Sequence, residues 1–196
     1  LSEQDREKWN RRYATGAAAQ NRHPSELLQQ AIAAFEPPCG RALDIACGAG
    51  RNALYLAGLG YQVDGVDISG EALSRGRQRA AELGLAINWI EHDLSEGLNI
   101  SDRYQLIVML RYVNLPLLAQ LPKSLAPGGL LVVEQHLQTD AAVSGPRDPR
   151  FRVAPGALAE AVDGLQPLLL EEGFREDPDG RTVALARLIT QQPGAD

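Results

Sequence analysis

Early in the chain, one apolar run carries a single acid and then breaks into glycines: Ala42, Leu43, Asp44, Ile45, Ala46, Cys47, Gly48, Ala49, Gly50, Arg51, Asn52. Residues 42–46 read as a buried parallel strand, 47–50 as a tight turn, and 51 onward as a helix whose N-terminus faces back over the strand. Glycine has no Cβ, so it takes positive φ and lets a ligand come close to the main chain. The unpaired N–H groups of the following helix add a partial positive charge. This arrangement makes a ligand site. Gly48 to Ala53 also satisfies G-x-G-x-x-G/A, so the glycines alone do not separate NAD from another nucleoside cofactor.

Asp44 narrows the choice. A carboxylate inside an apolar strand is costly to bury unpaired, and it would repel a pyrophosphate just beyond the strand while attracting a cation. A second acid, Asp67, ends the next apolar segment, 17 residues after Gly50, where it can accept hydrogen bonds from ribose hydroxyls. A third, Asp93, ends the following segment, where it can accept from an adenine amino group. Three acids therefore line or end three successive strands.

Asp44-x-Ala46-x-Gly48-x-Gly50, Val66-Asp67-Ile68-Ser69, His92-Asp93-Leu94 and Leu125-x-Pro127-Gly128-Gly129 together resemble the class I S-adenosylmethionine-dependent methyltransferases, over residues 40–136. Ala46 stands where the family has its first glycine. The resemblance implies an α/β, Rossmann-like fold with a mostly parallel central sheet, helices on both faces and a C-terminal antiparallel hairpin. It also implies S-adenosyl-L-methionine as cofactor and S-adenosyl-L-homocysteine as product. On that footing Gly48 and Gly50 pack against the methionine part and ribose, Asp67 holds the ribose, and Asp93 with Leu94 cradles the adenine. Asp44, Ala46, Cys47, Asn52, Ile68, His92 and Met109 complete the cofactor set from those motifs and the fourth strand. Trp9, Arg12 and Tyr13 resemble the opening signature of small methyltransferases whose first helix covers the cofactor. An aromatic face would stabilise a methylsulfonium by about 0.5 to 2 kcal/mol, and Tyr13 is placed for this first.

Along the chain, residues 3–13 read as a polar helix, 14–23 as a loop, and 24 onward as a second helix with Ser25 as N-cap and Pro37-Pro38 as its stop. Ser69 caps the helix after the second strand and Gly84 ends it. Residues 86–91 form the third strand and 104–110 the fourth, apolar throughout as a strand covered on both faces should be. A helix over 116–125, a turn at 127–129 and a strand over 130–135 make a fifth unit. Strands alternating with helices at these spacings give a parallel sheet with right-handed crossovers. Such sheets bind ligands outside the strands' carboxyl ends, so Arg111, Tyr112, Asn114 and His136 are candidates for substrate contact. Residues 165–171 and 182–189 read as the closing hairpin, and 191–196 as a tail.

At 196 residues and 44% apolar content the chain suits one domain. Within it, 1–36 supply helices over the cofactor site, 40–136 the cofactor core, and 137–196 a substrate loop and hairpin. A net charge of −6 argues against broad nucleic-acid binding. The absence of a long apolar run argues against a membrane span. The expectation is a cytoplasmic protein with a small-molecule substrate, a monomer or homodimer, with no metal. Cys39 and Cys47 have neither disulfide-framework nor zinc-type spacing.

The segment 145–152 holds three arginines, among them Arg152, within a Pro- and Gly-rich loop suited to gripping oxyanions. With Phe151-x-x-x-Pro155-Gly156-x-Leu158 and Asp179-Gly180-Arg181, the whole chain is similar to the tellurite-resistance-type methyltransferases. That likeness implies a soft oxyanion such as tellurite or selenite, or a thiol, as acceptor. Phe174-Arg175 stands where that group is expected to have a His-Arg pair. A soft anion needs no base, whereas an oxygen or nitrogen acceptor often does, and His136 is then the first base to consider. Two other readings fit part of the pattern. A nicotinamide-dependent reductase accommodates Gly48 to Ala53 and Asp67 but leaves Asp44 and Asp93 unexplained. A non-catalytic cofactor-binding regulator keeps the same turn without an open pocket beside Arg111 and His136.

Overall fold

The computed structural model describes residues 3–16, 23–98, 103–162, 164–177 and 179–194. The expected loop over 14–23 and the expected tail over 191–196 lie partly outside them.

β1 (Arg41–Ile45), α3 (Arg51–Gly58), β2 (Gln62–Asp67), α4 (Gly70–Leu83) and β3 (Ile87–Glu91) alternate as the spacing predicts. Ser69 caps α4 by accepting from Ala72 N at 3.1 Å, and Gly84 ends it at φ 66°. β4 (Tyr104–Leu110), β5 (Leu125–His136), β6 (Pro167–Glu176) and β7 (Thr182–Gln191) complete a seven-stranded sheet of order β3-β2-β1-β4-β5-β7-β6. Strands β1 to β5 pair in parallel; β7 runs antiparallel between β5 and β6.

The alternation within strands builds two cores. Leu43, Ile45, Ile107, Met109, Leu131 and Val133 face one side, under α5 (Leu115–Leu118) and α6 (Ala157–Ala161). Ala42, Leu106, Val108, Leu130 and Val132 face the other, against Leu27, Leu28 and Ala31 of α2 (Glu26–Phe35) and Ala53 and Leu56 of α3. A period of two sends neighbours to opposite faces, so a strand covered on both sides is apolar at every position. Pairing of Ile45 with Val66 and Met109, and of Leu110 with Glu134, sets one edge. Ala46, Asp67, Arg111 and Glu134 all reach it.

Three expectations are corrected. The helix expected over 116–125 is the four-residue α5 followed by a 3-10 turn over Leu121–Ser124; Pro122 lacks an N–H to continue the helix. Pro127-Gly128-Gly129 lies inside β5 rather than before it, where the ladder to β4 shifts register. The hairpin strands run further than expected, to Glu176 and Gln191. Asp177 turns the chain there by accepting from Asp179 N and Arg181 N at 3.0 and 2.9 Å.

Trp89 of β3 supports the glycine turn from the side. Its ring lies where a Cβ on Gly50, Gly65 or Gly76 would stand, at 2.2, 3.3 and 2.6 Å. Among the described residues, no helix is long and apolar enough to cross a membrane.

Trp89→Ala should destabilise the protein by about 2 to 3 kcal/mol, below the full range for a core aromatic because the ring is only half-buried. Urea unfolding followed by circular dichroism gives the value; a cost under about 0.5 kcal/mol would mean the ring does not support the turn.

Candidate active site

Backbone geometry makes the turn. Ala46, Gly48 and Gly50 have φ of 54°, 58° and 80°. A non-glycine residue in that region costs about 1 to 2 kcal/mol, a strain the neighbours of Ala46 must hold. Cys47 N donates to Val66 O at 3.0 Å and Gly50 N to Cys47 O at 2.9 Å. Asp67 then fastens the turn: Oδ2 accepts from Gly48 N and Oδ1 from Ser69 N, both at 2.8 Å. Asp44 Oδ2 accepts from Ala53 N at 3.0 Å, tying β1 to the first turn of α3. Asn52 Oδ1 accepts from Ser25 N at 3.0 Å and so holds the start of α2. The Ser25 side chain itself caps nothing.

Burial dominates both acids. It pushes the Asp44 carboxyl up to about 7, opposed by the Arg51 charge and the Ala53 N–H. It also raises Asp67, against the donors Ser69, Gly48 and Ile68.

α1 (Glu3–Ala14) covers the turn. Asn10 Oδ1 accepts from Ser69 Oγ at 2.7 Å and from Glu71 N at 3.2 Å, while Arg75 Nη2 donates to Ala14 O at 3.0 Å. These contacts bring Trp9 and Tyr13 over the site, their ring centroids 6.4 Å apart. The Tyr13 hydroxyl lies 2.2 Å from where a Gly48 Cβ would be, so the close approach of Tyr13 requires glycine there. Burial, then the Asp67 charge, raises the Tyr13 phenol well above its ordinary range.

A cavity of about 1210 Å³ opens between α1 and the strand ends. Of the residues predicted from sequence, Trp9, Tyr13, Asp44, Ala46, Cys47, Gly48 and Asn52 line it. Asp67, Ile68, Leu94, Arg111, Tyr112 and Asn114 continue the wall. Gly50, His92, Asp93, Met109, His136 and Arg152 do not line it. Gly50 faces Trp89 and Met109 is core. His92 Nε2 lies 2.6 Å from Gly97 O. Asp93 caps the turn Leu94–Glu96, accepting from Ser95 N at 2.9 Å and Ser95 Oγ at 2.7 Å; slight burial raises its carboxyl, but these bonds hold it below the usual range. Arg152 staples its own loop, donating to Pro146 O at 2.8 Å and Leu137 O at 2.7 Å.

At the far end Arg111 adopts φ 62°, its N donating to Glu134 O at 2.7 Å. Its Nε donates to Glu134 Oε1 at 3.0 Å and its Nη1 lies 2.9 Å from His136 Nε2. Gln135 Nε2 donates to Tyr112 O at 2.7 Å and Met109 O at 3.3 Å, holding the bend. Asn114 caps α5, accepting from Leu117 N at 3.0 Å. Burial, then the charges of Arg111 and Arg152, drives His136 down to about 3. A base that weak gives little help to an acceptor at neutral pH.

Sequence reading assigned no role to Arg51, Asn10 or Arg187, all of which shape the site. Arg51 had a signal. A cation directly after the glycine turn, at a helix N-terminus where the dipole disfavours it, calls for a compensating partner.

Residues 42–129 match the family model for a methyltransferase domain. The ubiquinone biosynthesis O-methyltransferase of Caulobacter is 36% identical over 123 residues, 56% of this chain and 49% of that protein. The chain spans about half the length of the curated relatives it matches. TehB from Haemophilus influenzae superposes with a TM-score of 0.74 at 23% identity, covering 92% of this chain and 66% of that one. The N-methyltransferase NodS from Bradyrhizobium japonicum, in complex with S-adenosyl-L-homocysteine, superposes at 0.69 with 19% identity, over 96% and 98% of the two chains. At these identities the structural likeness establishes the fold: a Rossmann-like, mostly parallel sheet with a C-terminal antiparallel pair, as expected from sequence.

A raised Asp44 sets a pH signature. Its proton is held more tightly folded than unfolded, so between pH 3.8 and about 7 the folded state binds more protons and this group's contribution to stability falls as pH rises. Asp44→Asn, which keeps an acceptor for Ala53 N, should match the wild type near pH 3.5 and be the more stable protein at pH 8. Urea unfolding of both at the two pH values checks this; equal stability at pH 8 would show that Asp44 is not destabilised by burial.

Proposed function

We propose an S-adenosylmethionine-dependent methyltransferase acting on a small molecule, a reading supported by the match of residues 42–129 to a methyltransferase-domain family model and by a sheet like those of TehB and NodS. The observation that carries this reading is the convergence of Asp44, Gly48, Asp67 and Tyr13 on one cavity wall.

The residues present suit that cofactor. Gly48 leaves room for close approach, the spare lone pairs of Asp67 can accept ribose hydroxyls, and Ile68 and Leu94 offer apolar surface to a purine. Asp44 and the Tyr13 ring supply the negative charge and π-face that favour a sulfonium. When bound, the cofactor supplies an electrophilic methyl group. The protein's part is to orient the acceptor in line at about 3 to 3.5 Å and to exclude water.

The acceptor end supports a nucleophile that arrives already ionised. Burial, then the charges of Arg111 and Arg152, keeps His136 neutral. Arg111 and Arg150 line the cavity, each paired with a carboxylate, Glu134 and Asp148. A soft oxyanion such as tellurite or selenite, or a thiolate, matches this chemistry and the likeness to the tellurite-resistance-type group. Phe174 is solvent-exposed, whereas Arg175 lines the cavity and pairs with Glu171. The position expected to hold a His-Arg pair thus keeps its arginine alone.

Calorimetry should show adenosylmethionine and adenosylhomocysteine binding, with no heat from NADH or NADPH; binding of a nicotinamide cofactor alone would replace the reading with a reductase. Asp67→Ala should weaken adenosylhomocysteine by about 1.5 to 3 kcal/mol. An unchanged affinity would remove Asp67 from the ribose site. Because His136 titrates far below neutrality, His136→Gln should leave the shape of the rate profile from pH 5 to 8 unchanged. Loss of a limb near pH 6.5 would make His136 the base after all.

A further inference from the structure

β6 forms one edge of the sheet. It runs ten residues, Pro167–Glu176, and pairs with β7 on one side; among the described residues no strand pairs with its other side. The backbone N–H and C=O groups that point outward there are a template for a further strand. The opposite edge is blunter: β3 has five residues, and its exposed positions are Asn88 and Glu91.

Along β6, alternation turns Leu168, Leu170 and Phe174 outward on one face, 42%, 44% and 60% exposed. They are three of the five large apolar side chains left exposed among the described residues; the other two, Leu59 and Leu83, stand singly at the ends of α3 and α4. Single exposed leucines are ordinary, whereas a row of apolar groups beside unpaired strand backbone marks a contact surface.

The charges along β6 choose the occupant. When a second copy adds its own β6 antiparallel across a two-fold axis through Gly173, residues equally far before and after Gly173 stand opposite each other. Glu171 then faces Arg175 of the second copy, and Arg175 faces its Glu171. On the other face the two Phe174 rings lie diagonal to one another and to Leu170 of the opposite strand, at the roughly 7 to 8 Å spacing that aromatic side chains can span. Moving the axis to Glu171, Glu172 or Arg175 sets like charges face to face, and moving it to Phe174 sets Glu172 against Glu176. Such pairs destabilise a sheet. Gly173 itself brings no side chain to the axis, and nothing lies within 4 Å of where its Cβ would stand. In the single chain Glu171 and Arg175 already pair with each other. The two-fold contact therefore exchanges equivalent partners and leaves no charge uncompensated.

We propose that β6 is a homodimerisation edge, at which two copies of this chain pair their β6 strands antiparallel about Gly173 and join two seven-stranded sheets into one. The contact is isologous, with the same residues on each side. Arg175 and Glu176 also line the cavity, so the interface adjoins it. A ribbon contact of this kind is smaller than an obligate interface, so dilution should release folded monomers.

Sedimentation equilibrium on the full chain tests the proposal. The wild type should pass from monomer to dimer as concentration rises, and Phe174→Asp should need about tenfold more protein to do so. Leu59→Asp, at an exposed leucine away from β6, should associate as the wild type does. Mild oxidation in a Cys39→Ser background reads the register: an equal mixture of Leu170→Cys and Glu176→Cys proteins should give mainly the mixed cross-linked pair. A wild type that stays monomeric up to its solubility limit, or a dimer indifferent to Phe174→Asp, overturns the proposal, as does cross-linking of Leu170→Cys chiefly to itself. Thermal melts accompany each variant, and if Phe174→Asp lacks a cooperative melt, Leu170→Asn takes its place with the same expected direction.

Discussion

Two hydrogen bonds to one carboxylate hold the working edge of this protein together. Asp67 ends β2 and accepts from Gly48 N and Ser69 N, so one side chain joins the glycine turn after β1 to the start of α4. Everything else at the site is placed from there. The turn can take its left-handed conformations because its N–H groups have a fixed acceptor, and α4 presents Ser69 and Glu71 to the helix above. Asn10 of α1 reaches those two positions, which sets Tyr13 over Gly48. The cover of the cavity therefore depends on the same residue as its floor.

Charge at the other end follows a different rule. Glu134 stands between Arg111 and Arg187, and its position at the end of β5 follows from the strand register. At this end a single acid, Glu134, is shared by two guanidiniums. His136 sits in the same field and stays neutral. The turn end has the opposite character: buried carboxylates and an aromatic ring favour a cation.

How far the sequence carried depended on the range of the interactions. The order of elements, the parallel core, and Asp44, Gly48, Asp67 and Tyr13 on one wall were legible, because apolar period, glycine turns and acids at strand ends are local signals. Helix α5 was misjudged because Pro116 and Pro122 compete within a short segment. His92, Asp93 and Arg152 carry polar groups that look ready for ligand, yet the structure gives them to Gly97, Ser95 and the carbonyls of Pro146 and Leu137.

The amino-acid sequence by itself determined the sheet, its acids and the glycine turn, since each is specified within a few residues by sterics and burial. Only the tertiary structure decided which charges face each other. Arg111, Glu134 and Arg187 are far apart in the chain and meet because the parallel register of β4 with β5 and the antiparallel insertion of β7 bring them to one edge. Coulomb interactions act through space, so their pairing cannot be read from neighbours in sequence.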